Sequence, residues 1–71
     1  MKNELYQIEG MSCNHCKMAV EKEVKALEGV LLAEVDLAAK TLRVEYDEQE
    51  TSPTEICLAI EEAGFAGSLI P

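Results

Sequence analysis

Apolar and polar positions first alternate with a period of two, then recur about every four residues, and the switching between these rhythms divides the chain into six pieces. Tyr6 and Ile8 alternate with Gln7 and Glu9, so the run that includes Leu5 and ends at Gly10 predicts a strand. From about Asn14 to Leu27 the apolar positions are Cys16, Val20, Val24 and Leu27, which line one face of an amphipathic helix. Ser12 and Asn14 are both candidate N-caps. Lys17 with Glu21, and Glu21 with Lys25, are spaced to support the exposed face, and Gly29 is placed as the stop.

The period of two returns in Val30 to Leu37, where Ala33, Val35 and Leu37 alternate with Glu34 and Asp36. Ala38-Ala39-Lys40 is a tight reversal without an Asn-Gly signal, which leaves its turn type open. Leu42, Val44 and Tyr46 alternate with Arg43 and Glu45 in a third strand, and Asp47 to Ser52 is polar loop. Pro53 suits the first turn of a second helix, with Ser52 as cap and Glu55 completing a capping-box pattern. Ile56, Ala59, Ile60 and Ala63 form its stripe, Gly64 ends it, and Phe65 to Ile70 is a last short strand. The order β-α-β-β-α-β predicts an α+β sandwich: a four-stranded antiparallel sheet with two helices on one face, built as a single domain over residues 1–71.

That order also decides which loops meet. Gly10–His15, Ala38–Lys40 and Gly64–Phe65 should gather at one end. Cys13 and Cys16 belong to that end. Cys57 lies about one turn into the second helix, roughly 10 Å below the helix top at 1.5 Å of rise per residue. It is read as core, in keeping with the frequent burial of unreactive cysteine.

Composition narrows the chemistry. Seventy-one residues with 48% apolar content fit one small globular unit. No apolar run approaches a membrane span, and the N-terminus lacks the apolar block of a secretory signal. Three cysteines, two of them near neighbours, argue for thiols used as thiols in a reducing compartment, so a cytoplasmic protein is expected. The net charge is −8, and residues 44–71 hold seven acids and no Lys or Arg. That excludes nucleic acid as partner and disfavours direct membrane binding. The acidic half serves solubility or steers toward a basic partner.

Cys13-Asn14-His15-Cys16 carries the candidate chemistry. Helix amides and the helix dipole favour anionic sulfur at a helix start, and thiolates are the soft ligands that select Cu(I), Zn and related ions. A structural zinc site wants four ligands. Cys13 and Cys16 offer two, so Cu(I), which accepts low coordination, fits better and leaves room for an incoming thiolate. His15 is read first as an exposed polar residue beside the thiols and second as a ligand. Met11 is read as core filler, and Met18 with Lys17 as either merely exposed or a docking patch. Phe65 suits core and site cover equally, and Leu31 with Leu32 could form a contact patch. The rival from the enzyme class is a thiol oxidoreductase, but the pair lacks the filling common there, and no enzyme activity is expected.

Gly10-Met11-Ser12-Cys13-Asn14-His15-Cys16 resembles the Gly-Met-x-Cys-x-x-Cys signature of heavy-metal-associated domains. The similarity continues through Leu27, Gly29-Val30, Val35-Asp36-Leu37, Val44 and Tyr46-Asp47, and resumes at Thr54-Glu55-Ile56-Cys57, Ala59-Ile60 and Ala63-Gly64-Phe65. The filling of the thiol pair resembles bacterial copper chaperones in particular. The resemblance implies a ferredoxin-like fold, Cys13 and Cys16 as metal ligands, Met11 buried under the metal loop and Phe65 facing the metal. It implies a Cu(I) carrier that hands its ion to a copper-transporting P-type ATPase or a copper-responsive regulator. A metal-binding domain of such an ATPase and a carrier of Zn, Cd or Hg are the alternatives. A metal-bridged homodimer is a further expectation, since two copies would supply four thiolates. Phe65, where many chaperones have Tyr, and the apolar Leu31, Leu32, Ala38 and Ala39, where lysines are frequent, are departures from the chaperone pattern.

Overall fold

The computed structural model describes residues 1–11 and 13–71. The elements are β1 (Lys2–Glu9), α1 (Asn14–Lys25), β2 (Val30–Asp36), β3 (Thr41–Tyr46), α2 (Pro53–Glu62) and β4 (Ala66–Ile70). The strands form one sheet in the order β2-β3-β1-β4, and all three pairings are antiparallel. The expected βαββαβ architecture, with its two helices over one antiparallel sheet, is therefore the observed one. Among the described residues no helix is long and apolar enough to cross a membrane.

The core sits between sheet and helices. Tyr6 and Ile8 from β1, Leu42, Val44 and Tyr46 from β3, Val20 and Val24 from α1, and Ile56 and Ile60 from α2 are buried, as the alternation and the stripes require. Gly67 is needed where α2 crosses β4: a Cβ there would lie 2.6 Å from Ile60 Cδ1 and 3.3 Å from Ile8 Cδ1.

The departures from expectation have local causes. β1 begins at Lys2 instead of Leu5 because Glu4 occupies a core-facing position, where its carboxylate accepts from Tyr46 Oη at 2.7 Å and Tyr6 Oη at 3.1 Å. A charged residue there interrupts the apolar alternation without interrupting the strand. β2 ends at Asp36, not Leu37. Asp36 Oδ1 accepts from the amides of Ala38 and Ala39 and starts the reversal, and Lys40 completes it in the left-handed region (φ 56°). β4 starts one residue after Phe65, whose amide still bonds to Ile60 O at 3.2 Å and closes the end of α2 through Gly64.

Glu21 does not serve the expected pairs with Lys17 and Lys25. Its Oε2 accepts from Val35 N at 2.9 Å, bonding α1 to the outer edge of β2. The ion pair found among the described residues is Lys2 with Glu48, at 3.9 Å on the surface.

Candidate metal centre

The site is built where β1 gives way to α1. The N-cap of α1 is Cys13, in extended backbone (φ −151°, ψ 172°), and not Asn14, which is the first helical residue. Ser12, the other expected cap, lies outside the described residues. The carbonyl of Cys13 accepts the first intrahelical bond, from Lys17 N at 3.1 Å. The side chain of Cys13 makes no capping hydrogen bond. A position that commonly holds Ser, Asp or Asn for stability is thus given to sulfur.

Cys13 is exposed and Cys16, one turn on, is half-buried against the core. Their sulfurs are 3.4 Å apart. That is well beyond a disulfide bond of about 2.05 Å. An ion with metal–sulfur bonds of about 2.3 Å reaches both in a bent arrangement, and rotation of the exposed Cys13 side chain opens it further. Among the described residues no group of three or more His, Cys, Asp or Glu side chains is arranged to hold a metal. His15 is exposed between the two cysteines and does not complete such a group.

The predicted gathering of loops is observed. The carbonyl of Lys40 accepts from Ile8 N at 2.9 Å and Gln7 Nε2 at 3.2 Å, drawing the β2–β3 turn onto the end of β1. Gly10 (φ +92°) faces the Phe65 ring, and a Cβ there would lie 3.4 Å from Phe65 Cδ1. Phe65 therefore acts both as core packing and as a wall beside the chain that leads into the thiol loop. Met11 is 2% exposed, which makes it a plug beneath the loop and leaves its sulfur facing inward.

Other singled-out residues lie apart from the pair. Cys57 is half-buried against the core, and burial, with a smaller contribution from Glu61, raises its thiol pKa. Leu31 is exposed at the Gly29 end of β2, where Val30 pairs with Tyr46 and Tyr46 with Lys2, which is the end opposite the thiol loop. It forms no patch with the sulfurs. Met18 is 64% exposed on α1, two residues after Cys16. Sequence reading missed the turn-forming role of Asp36, which the rule that Asp initiates turns could have found. It also missed Glu4, for which nothing in the local pattern is a signal.

Residues 5–66 match the heavy-metal-associated domain family. The chain belongs to that family. This heavy-metal-associated domain is 46% identical over 65 residues to the copper chaperone CopZ of Staphylococcus haemolyticus, a match covering 92% of this chain and 96% of the relative. Its structure resembles a CopZ metallochaperone with a TM-score of 0.91 and 36% identity, over 94% of this chain and 100% of the other. It also resembles the N-terminal domain of a potential copper-translocating P-type ATPase from Bacillus subtilis, solved in the Cu(I)-loaded state. There the TM-score is 0.90 and the identity 34%, over 94% of this chain and 84% of that one. The ferredoxin-like arrangement expected from the motif is shared by these domains.

Proposed function

We propose that this heavy-metal-associated domain is a cytoplasmic carrier of Cu(I), held between the sulfurs of Cys13 and Cys16 and delivered without turnover to a copper-transporting P-type ATPase. One observation carries the reading: a sulfur pair 3.4 Å apart, Cys13 exposed and Cys16 half-buried, to which no third metal-ligating side chain is added among the described residues. Two thiolates satisfy a soft monovalent ion but leave a divalent zinc ion short of its usual four ligands. The named function of the chaperone relatives and the Cu(I)-loaded state of the ATPase domain support the choice of ion and recipient.

Delivery is ligand exchange. A thiolate of the recipient adds to the bound Cu(I), giving three sulfur ligands, and a thiolate of this chain then leaves; a second such exchange releases the remaining thiolate of this chain and completes the transfer. Exposed Cys13 is the ligand that an incoming thiolate meets first, since Cys16 is held against the core. No electron is transferred, and the copper stays Cu(I) throughout. The recipient's own domain, sharing this fold, would present its sulfurs in the same geometry, so the ion would pass down a shallow gradient between similar sites.

Anaerobic titration with Cu(I) against a chromogenic Cu(I) chelator tests this. The expected result is one tightly held ion per chain, lost in Cys13→Ser/Cys16→Ser and retained in His15→Ala. Binding by the double variant as tight as that of the parent overturns the assignment, and preference for Zn(II) over Cu(I) in direct competition overturns the choice of ion.

A further inference from the structure

The sheet has two outer edges, and they are treated differently. At the β2 edge Glu34 and Asp36 contribute charge, the register shifts between Val30 and Leu32, and the Glu21 carboxylate accepts the outward Val35 amide at 2.9 Å. Charges, irregular register and an occupied amide are the devices that stop another strand from pairing there. β4, at the other edge, has none of them. Ala66-Gly67-Ser68-Leu69-Ile70 contains no charged residue and pairs with β1 in unbroken register. Among the described residues no side chain bonds to its backbone. Every second residue of an edge strand turns its amide and carbonyl outward.

The surroundings of that edge have a defined chemistry. Leu69 and Ile70 are 41% and 37% exposed. Ile70 pairs with Leu5 on the helix-free face, and at this lower end Asn3, Leu5, Arg43 and Ile70, with Glu4, Leu69 and Pro71 round the end of the sheet, line an open groove of about 570 Å³. Over the other end lies the last turn of α2. α2 packs over β4, where Ile60 and Ile8 both close on Gly67, and exposed Glu61 and Glu62 follow directly after Ile60. That turn has no basic residue, and residues 44–71 hold none at all.

We propose that β4 accepts an extended basic segment of a partner protein as a fifth strand of the sheet. Main-chain hydrogen bonds supply the pairing, as in strand addition generally, and the side chains set the choice of partner. An added strand antiparallel to β4 enters at the Ile70 end and leaves beside Glu61. An apolar residue near its start fits the groove on the helix-free face. Because side chains alternate between faces, a Lys or Arg one and three residues later points to the helix face and meets the carboxylates of Glu61 and Glu62. The acidic half of the chain thereby gains a binding role. The inference rests on β4 and the end of α2 and stands whether or not the sulfurs carry copper.

The test is a titration of the reduced, metal-free ¹⁵N-labelled protein with the peptide acetyl-Thr-Ile-Lys-Val-Lys-Thr-amide, and with its counterpart in which both Lys are Glu. The expected result is amide shifts centred on Ala66–Ile70, slower solvent exchange of the outward β4 amides, and no response to the acidic peptide. Glu61→Lys/Glu62→Lys should weaken binding roughly tenfold or more, and in the unaltered protein raising NaCl from about 50 to about 500 mM should weaken it as well. Absence of shifts at about 5 mM peptide, shifts centred on α1 or β2, or equal binding of the two peptides overturns the proposal. So does sedimentation showing a dimer without peptide whose interface maps to β4, because the edge is then filled by a second copy.

Discussion

Glu4 and Gly67 are the residues at which the core departs from simple alternation. Glu4 places a carboxylate on the helix-facing side of β1, where it accepts from both Tyr6 and Tyr46. Removing it leaves two phenol groups to find new partners, both on tyrosines no more than 1% exposed. Glu4→Ala should therefore cost about 1–3 kcal/mol of stability, measurable as a lowered urea midpoint with an unchanged slope. Gly67 fails differently. A methyl group there meets Ile60 Cδ1 at 2.6 Å, Ile60 Cγ2 at 3.1 Å and Ile8 Cδ1 at 3.3 Å. Part of the clash is with the end of a flexible side chain, which can rotate, so Gly67→Ala should cost about 1–2 kcal/mol in the same measurement. Neither role was legible in the chain. A carboxylate among apolar positions reads as a break in the strand until its two distant donors are known. A glycine in a short strand does not disclose which helix lies over it. The thiol pair was legible because its spacing falls within one helical turn, which is local information.

The two helices show what local information settles and what it leaves open. For α2, Ser52 is the cap that the pattern predicts, and its Oγ accepts from Glu55 N at 3.4 Å. For α1, the pattern points to Ser12 or Asn14, while the described cap is Cys13, with no side-chain bond to the first turn. Sequence rules rank residues by the stability they confer, and here a thiol takes the place of a stabilising cap. Cys13→Asp should reverse that choice. The metal-free protein should gain about 0.5–1 kcal/mol in chemical unfolding, and Cu(I) binding should be lost in the titration described above. Ends of elements were also misplaced by one residue at Asp36 and Phe65. In both, a hydrogen bond outside the ladder, from a side chain or from a closing helix turn, decides the boundary. Glu21 was assigned to ion pairs four residues away, as helix spacing suggests. Its actual partner belongs to another element fourteen residues on, beyond the reach of periodicity.

Across the whole molecule, element order and the meeting of three loops at the thiol end followed from counting strand directions. The strand order β2-β3-β1-β4 did not, because it is fixed by long-range pairing. Titration of the far end is a property at this scale. Burial, helped by the hydrogen bond and charge of Glu4, pushes the Tyr46 pKa up to about 12, and burial with the same carboxylate raises Tyr6 further. The ordinary tyrosine value is about 10, so the unfolded chain releases these protons first. Stability is intact below about pH 10 and falls as pH rises from about 10 to about 12. The melting temperature should drop between about pH 10 and about pH 12, and Tyr46→Phe should flatten that decline.

The sulfur of Met11 and the ring of Phe65 close the top of the core beneath the thiol loop, while Cys13 remains outside it. Small zinc modules collapse when their ion is removed because the ion is their core. On the proposed function, the place of the cargo and the structural interior are separate spaces. Proteases that survey the cell for unfolded chains would then meet the same molecule with and without its ion, and each copy could be refilled many times over its lifetime.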